Sequence, residues 1–244
     1  MLLDVAAIER ATLQAVPPQR LITLDGWLVG LDDGTVGRVH SAVPTRHAPD
    51  VGDALQSVLS SFRDAGRQPV LRIPRTAAFD AIRARVGEAG LQARKPTLTM
   101  AGPVAGLMGL PETAPVEITD GPDGDWAGVF LGPGFDPVDG ASRLAILRRG
   151  RANVFAGVRV AGDLVAVGSA CFAEGWCGVH GMRTVPAARG RGWAGAILAS
   201  FGRQAHQRGV ESVFLQVEQV NVSAQALYRR AGLQDAFLYD YWSR

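Results

Sequence analysis

The segment Val185-Pro186-Ala187-Ala188-Arg189-Gly190-Arg191-Gly192-Trp193-Ala194-Gly195 gathers the residue types that a phosphate group requires. An apolar, strand-like run ends in a glycine-rich turn, and the turn opens into a stretch with helical apolar spacing. Backbone N–H groups at a helix start point the same way and carry partial positive charge, and glycines let a phosphate approach them without a Cβ in between. Arg189 and Arg191 add positive potential, so the segment reads as a pyrophosphate cradle. Two cofactor classes use such a cradle. Read from Gly190, the spacing Gly190, Gly192, Gly195 is a G-x-G-x-x-G, with Glu218 at a ribose-binding distance, which points to a dinucleotide. Two features oppose that dehydrogenase-type reading. Pro186 to Arg189 separate the strand from the first glycine, and the chain after Gly195 has room for only two strands and one helix.

Read from Arg189, the spacing is R-x-x-G-x-A, preceded by Met182-Arg183-Thr184-Val185-Pro186. Downstream stands Asn221-x-x-Ala224-x-x-Leu227-Tyr228-x-x-x-Gly232-Leu233. In these two motifs, in this order, the chain resembles the GNAT N-acetyltransferase superfamily over residues from about 115 to 244. The resemblance implies acetyl-CoA as co-substrate, no metal, and transfer of the acetyl group to a primary amine by direct attack in a ternary complex. It implies that two parallel strands splay apart around the pantetheine arm, which pairs with the backbone of Met182, Arg183 and Thr184. Arg189, Gly190, Arg191, Gly192, Trp193 and Ala194 then hold the pyrophosphate, and Asn221 bonds the pantetheine arm. Tyr228 matches the phenol that protonates the departing thiolate, an assistance typically worth ~10²–10⁴-fold.

The general base is left open. Many relatives carry a glutamate on the second splayed strand, where this chain has Gln216. Glu218 lies two residues on and shares that face of the strand. His180 lies two residues before Met182 on the first splayed strand, and an ordinary imidazole titrates near neutrality. A water chain with no dedicated base is equally consistent. Gln216 also keeps a rival reading alive, a non-catalytic acyl-CoA-binding or sensing protein. Each residue has a plainer explanation as well: Asn221 is a good helix N-cap, Tyr228 a half-buried aromatic, Glu218 and the arginines solvated charges, and His180 a strand histidine.

The elements that must position these residues follow from periodicity. Ala194, Ile197, Leu198, Phe201 and Ala205 recur at i, i+3, i+4, i+7 and i+11, which predicts a long amphipathic helix. Before it, Val154 to Val160, Leu164 to Phe172 and Trp176 to Val185 read as meandering strands, with short helices at Asp123 to Leu131 and Ser142 to Arg149. After it come a strand at Val213 to Glu218, a helix at Val222 to Ala231 and a strand at Phe237 to Trp242. Earlier in the chain, residues 2–15 read as a helix, Leu21 to Leu31 and Val36 to Val43 as strands joined at Asp32-Asp33-Gly34, and Leu55 to Phe62 as a helix. Val70 to Ile73 then reads as a strand, Ala78 to Glu88 as a helix, and a further strand runs to about Met100. Ala89-Gly90-Leu91-Gln92 recurs as Ala231-Gly232-Leu233-Gln234, each time after a strand-then-helix unit, which points to an internal duplication.

The expected fold is therefore α/β (α+β): two GNAT-like lobes rather than one continuous sheet, each lobe a mixed twisted sheet flanked by helices. Residues 1–110 form a degenerate lobe, 111–124 a Pro- and Gly-rich linker, and 115–244 the catalytic domain. Aligned on the repeat, Val86 replaces Tyr228 and Phe79 replaces Asn221, so the first lobe is expected to shape the acceptor pocket or a homodimer rather than bind cofactor. The expected acceptor is a small-molecule or peptide amine, with a protein lysine also open.

Composition bounds the rest. With 47% apolar and 20% charged residues, the chain is globular rather than disordered. A net charge of +2 is spread without any block of like charges, so no nucleic-acid partner is expected. No apolar run is long enough to span a membrane, and the start Met1-Leu2-Leu3-Asp4 lacks a secretory signal's basic region; a cytoplasmic location is expected. Two cysteines, Cys171 and Cys177, lie symmetrically about Glu174 in an expected hairpin, where they could face each other, and are expected to stay thiols.

Overall fold

The computed structural model describes residues 3–244; Met1 and Leu2, part of the first helix reading and of the leader comparison, lie outside the described residues. The first part of the chain forms α1 (Val5–Ala15), β1 (Arg20–Leu24), β2 (Trp27–Leu31), β3 (Ala42–Pro44), α2 (Leu55–Asp64), β4 (Leu71–Pro74), α3 (Asp80–Glu88), β5 (Gln92–Pro103) and α4 (Val104–Met108). The second part forms β6 (Glu117–Thr119), α5 (Gly124–Leu131), α6 (Pro137–Arg149), β7 (Asn153–Val160), β8 (Asp163–Ala173) and β9 (Trp176–Thr184). It ends with α7 (Trp193–Gln207), β10 (Ser212–Glu218), α8 (Val222–Arg230) and β11 (Gln234–Ser243).

Helices α1, α5, α6 and α8 begin on Asp4, Asp123, Asp136 and Asn221, whose side chains accept from first-turn N–H groups. The expected strand at Leu21 to Leu31 is instead a tight hairpin, because Asp25-Gly26 turns the chain between Leu24 and Trp27. The expected strand at Val36 to Val43 keeps only its end, β3. The chain turns here instead, the Val39 N–H donating to the Val36 carbonyl at 3.0 Å, and Val36 and Val39 pack with Trp126 and Phe130 of α5.

All eleven strands join one mixed sheet in the order β1-β2-β3-β4-β11-β5-β10-β9-β8-β7-β6. The halves are each a mixed sheet flanked by helices, as expected, but they are not separate: their edges merge. The reason lies in the last strand of each repeat. After the repeated Ala-Gly-Leu-Gln, β5 leaves the first half and pairs antiparallel with β10, while β11 returns to pair antiparallel with β4. The two exchanged strands pair with each other at the centre. Outward from that pair the order repeats, with β4 beside parallel β3 on one side and β10 beside parallel β9 on the other.

The cores follow the exchange. Leu98 and Met100 of β5 and Val104 and Leu107 of α4 pack with Ile197, Leu198 and Phe201 of α7. Gly202 of α7 lets α4 come close: a Cβ there would lie 2.9 Å from Leu107 and Met108. In the other direction, Trp242 of β11 packs on the core of Trp27, Phe62 and Phe79. Helix α1 lies against the second half, with Ala7, Ile8 and Ala11 on Trp176 and Phe214. It also carries the fully buried Glu9, whose carboxylate takes a 2.9 Å hydrogen bond from the equally buried Arg72 of β4. Among the described residues, no helix is long and apolar enough to cross a membrane.

Candidate functional site

Strands β9 and β10 are parallel, but their backbones pair only from Trp176/Ser212 to Val179/Leu215. Beyond that point β9 runs on to Thr184 and β10 to Glu218 without meeting. The divergence has a local cause: β9 carries a bulge at Gly181-Met182 opposite Gly168, with Gly181 at φ +60°. A bulge bends its strand and raises its twist, here away from β10. Met182, Arg183 and Thr184 therefore lie along an opened cleft.

The glycine turn stands at the mouth of that cleft. Gly190 and Gly192 have φ of +77° and +85°, a region other residues enter at a cost. Gly192 is the N-cap of α7 and supplies no side-chain acceptor, so N–H groups of the helix's first turn are left without a cap. Nothing lies within 4 Å of a Cβ built on Gly190, so the turn is open to an approaching group. Arg191 is exposed and Arg189 spans 3.3 Å to the carbonyl of Thr184. The indole Nε1 of Trp193 is buried with no acceptor among the described residues. These residues, with Ala194, Met182, Arg183, Thr184, Asn221 and Tyr228, line one cavity of about 810 Å³. Open glycine turn, uncapped helix start and orphaned donor suit an elongated, phosphate-bearing ligand such as a coenzyme A thioester.

Two of the expected ligands also have structural duties. Asn221 caps α8 by accepting 3.2 Å bonds from the Ala224 N–H and the Ser223 hydroxyl through Oδ1. The Arg183 side chain is clamped between Phe130 and Phe135, its guanidinium carbon 4.4 and 4.2 Å from the ring centres. It reaches Asp139 at 3.2 Å.

A second cavity, of about 510 Å³, opens on the other side of β9 and β10. It shares Met182, Arg183, Asn221 and Tyr228 with the first, so the two spaces meet at Tyr228. His180, Gln216 and Glu218 line this second cavity only. Tyr228 is 8% exposed, and burial pushes its phenol up to about 12, so it holds its proton at neutral pH. Burial, helped by the nearby Arg38 charge, pushes His180 down to about 3. Its imidazole is neutral but a weak proton acceptor. Glu218 is exposed, and it is the one carboxylate among the residues lining this cavity.

Much of the second cavity's remaining wall comes from the first half of the chain: Thr35 to Arg38, His40, Val70, and Arg94, Lys95 and Thr97 of β5. Motif reading did not reach these residues, because no local pattern ties them to the glycine turn. One signal was available, since Lys95 is the only lysine in the chain. It sits at φ +46° where β5 and β11 slip register. At the places that Asn221 and Tyr228 occupy in the second repeat, Phe79 and Val86 are fully buried in the first. Cys171 and Cys177, on neighbouring positions of the β8–β9 hairpin, are buried free thiols, raised to about 11 and about 12 by burial. Among the described residues, no group of three His, Cys, Asp or Glu side chains is placed to hold a metal ion.

Comparison with known proteins follows the same geometry. A family model described as "Probable histone acetyltransferase Rv0428c C-terminal" matches residues 3–242. A GCN5-related N-acetyltransferase from Kribbella flavida superposes with a TM-score of 0.71 at 19% identity, covering 100% of this chain and 96% of that one. A tandem GNAT protein from the clavulanic acid biosynthesis pathway superposes with a TM-score of 0.61 at 13% identity, covering 98% and 94%. A conserved protein of unknown function from Staphylococcus epidermidis reaches 0.68 at 14% identity, covering 97% and 98%. No curated protein sequence matches the chain. With nearly its whole length matched by one family model and its whole architecture shared with tandem and GCN5-related structures, the chain belongs to the Rv0428c C-terminal family of the GNAT superfamily.

Proposed function

We propose that the protein transfers an acetyl group from acetyl-CoA to a primary amine, with the chemistry at the junction of its two cavities. The observation that carries this reading is the position of Tyr228: a buried phenol, protonated at neutral pH, where the cofactor cleft meets the second cavity. Acetyl-CoA supplies the activated thioester carbonyl. Arg189 to Ala194 hold its pyrophosphate on the glycine turn, and the backbone of Met182, Arg183 and Thr184 pairs with its pantetheine arm. The Asn221 amide, whose Oδ1 is committed to α8, offers its N–H₂ to the same arm. The acceptor amine enters through the second cavity. Glu218 takes the proton the amine must lose, and Tyr228 gives a proton to the departing sulfur. His180 shapes the wall beside them.

The first half completes the acceptor cavity and binds no cofactor, with buried Phe79 and Val86 where a cofactor site would place its polar groups. A second reading, acyl-CoA sensing without turnover, draws on Gln216. Its amide stands where a carboxylate is common, and neither amide atom has a partner. Thiol release from acetyl-CoA across a panel of amines separates the two. Acetyl transfer predicts turnover with at least one amine and a kcat about 10²–10⁴-fold lower in Tyr228→Phe, with acetyl-CoA affinity kept. Tight acetyl-CoA binding with no turnover on any amine supports the sensor, and saturable NAD binding supports a dehydrogenase.

A further inference from the structure

The second cavity is strongly one-sided in charge. Arg38, Arg94, Lys95, Arg143 and Arg183 line it, against the single carboxylate of Glu218. Arg143 and Arg183 share one counter-ion, Asp139, at 2.6 and 3.2 Å. Counting Asp139 as well, the cations still exceed the carboxylates by three. Arg38, Arg94 and Lys95 make no ion pair within 4 Å among the described residues, although the Arg38 charge is felt by the buried Glu9. Arg94 meets only the side-chain amide of Gln92, at 3.2 Å.

Uncompensated charge on a surface is ordinary, but here it coincides with buried polar atoms that lack partners. Arg38 Nε, His180 Nε2 and both amide atoms of Gln216 are buried without a hydrogen bond among the described residues, and all three residues line this cavity. His180 is only 5% exposed. Buried polar groups are nearly always satisfied, so a cluster of orphans at a cavity wall marks where a polar ligand fits. Arg38 is no loose surface arginine, since Val36 and Val39 on either side anchor its loop in the core of α5 and α6.

We propose that the acceptor is a small primary amine that also carries an anionic group, a carboxylate or a phosphate. Arg38, His180 and Gln216 form a polar floor for it, and Lys95 and Arg94 the charged rim. The inference rests on the acetyl-transfer reading for its reaction, but its recognition element stands separately. It disfavours a lysine-rich peptide, which would bring further cations into a cavity that already holds five. Like charges brought together in a partly desolvated cleft repel, and the repulsion acts on both binding and rate of entry.

The test compares kcat/KM for an α-amino acid, its C-terminal amide, an aminoalkyl phosphate and a lysine-rich peptide, with acetyl-CoA as donor. The carboxylate or the phosphate amine is expected to exceed the amide by about tenfold or more, with the peptide poorest; which of the two leads identifies the anion. Lys95→Gln and Arg38→Gln should each cut that preference several-fold through KM, with Lys95→Arg restoring it. A preference for the amide or the peptide, or a ratio unmoved in both variants, overturns the proposal. Should no amine turn over, acetyl transfer fails, and calorimetric titration of the same amines into CoA-saturated protein decides this inference alone. Binding of the anionic amine over the amide, weakened in Lys95→Gln, upholds it, and equal binding of the two overturns it.

Discussion

Tyr228 and His180 line the same cavity, and burial drives their proton affinities in opposite directions because it penalises whichever form is charged. The phenol rises to about 12 and the imidazole falls to about 3. For the proposed reaction the first shift is useful and the second is not. A proton-donating tyrosine stays loaded through the working pH range, so no alkaline fall in kcat below about pH 10 should trace to Tyr228. An imidazole that resists protonation is a poor sink for an ammonium proton, which leaves Glu218 as the side-chain base. Glu218→Gln should therefore lower kcat by about 10–100-fold, while His180→Gln acts chiefly on the acceptor's KM. Steady-state kinetics on both variants, with one productive amine, checks the split; a large kcat loss in His180→Gln alone would reverse the assignment. Residue type alone made Glu218 and His180 equal candidates. What separates them is how deeply each is buried, a tertiary property. Glu9 makes the same point, since nothing local to it shows that it folds as the buried partner of Arg72.

The elements that were legible are those whose signals are local. Helix α7 announces itself by apolar spacing, its start by Gly190 and Gly192, and α8 by Asn221 and the glycine that ends it. The cavity proposed for the cofactor is lined almost wholly by these pieces, so its candidate residues could be named from local sequence. The acceptor side was not, because it depends on pairings between distant segments. Nothing in β5 says that it leaves its own repeat to lie against β10, and nothing between Thr35 and His40 says that this loop anchors in the other half. The repeat itself was visible in four residues; the exchange of its last strands was not. The glycine turn also offers a test that belongs to the element. A Cβ on Gly192 would lie 2.9 Å from the Thr113 side chain and sit at φ +85°, so Gly192→Val must distort the turn. Acetyl-CoA affinity is expected to fall by about tenfold or more, since the N–H groups at the start of α7 lose their alignment. Far-ultraviolet circular dichroism should stay near wild type. Calorimetric titration measures the loss, and unchanged affinity would mean that the turn does not carry the pyrophosphate.

At the scale of the whole molecule, the strand exchange makes the two halves a single body, with the second cavity, the proposed acceptor site, on the seam. His180 lies on that seam, beneath the Arg38 loop, so its ionisation is tied to whether the halves are assembled. In the unfolded chain it takes up a proton as pH falls through its ordinary 6.5; in the folded protein it does not until about 3. The folded-state value is depressed, so its contribution to stability is full above 6.5 and is lost as pH falls toward 3. For this one group the loss approaches about 1.4 kcal/mol for each pH unit below its unfolded value. His47, packed edge-on to Phe79 and Phe237 and likewise lowered by burial, adds to the same slope. Urea unfolding followed by tryptophan fluorescence at several pH values between about 7.5 and 4.5 should therefore show stability falling with acid. His180→Gln removes the titrating group without removing the wall, and although it changes stability at neutral pH, its slope below 6.5 should be shallower than wild type by about one proton's worth. An identical slope in the variant would mean that His180 becomes protonated in the folded protein as readily as in the unfolded chain. The cavity floor would then be open to water rather than sealed by the meeting of the two halves.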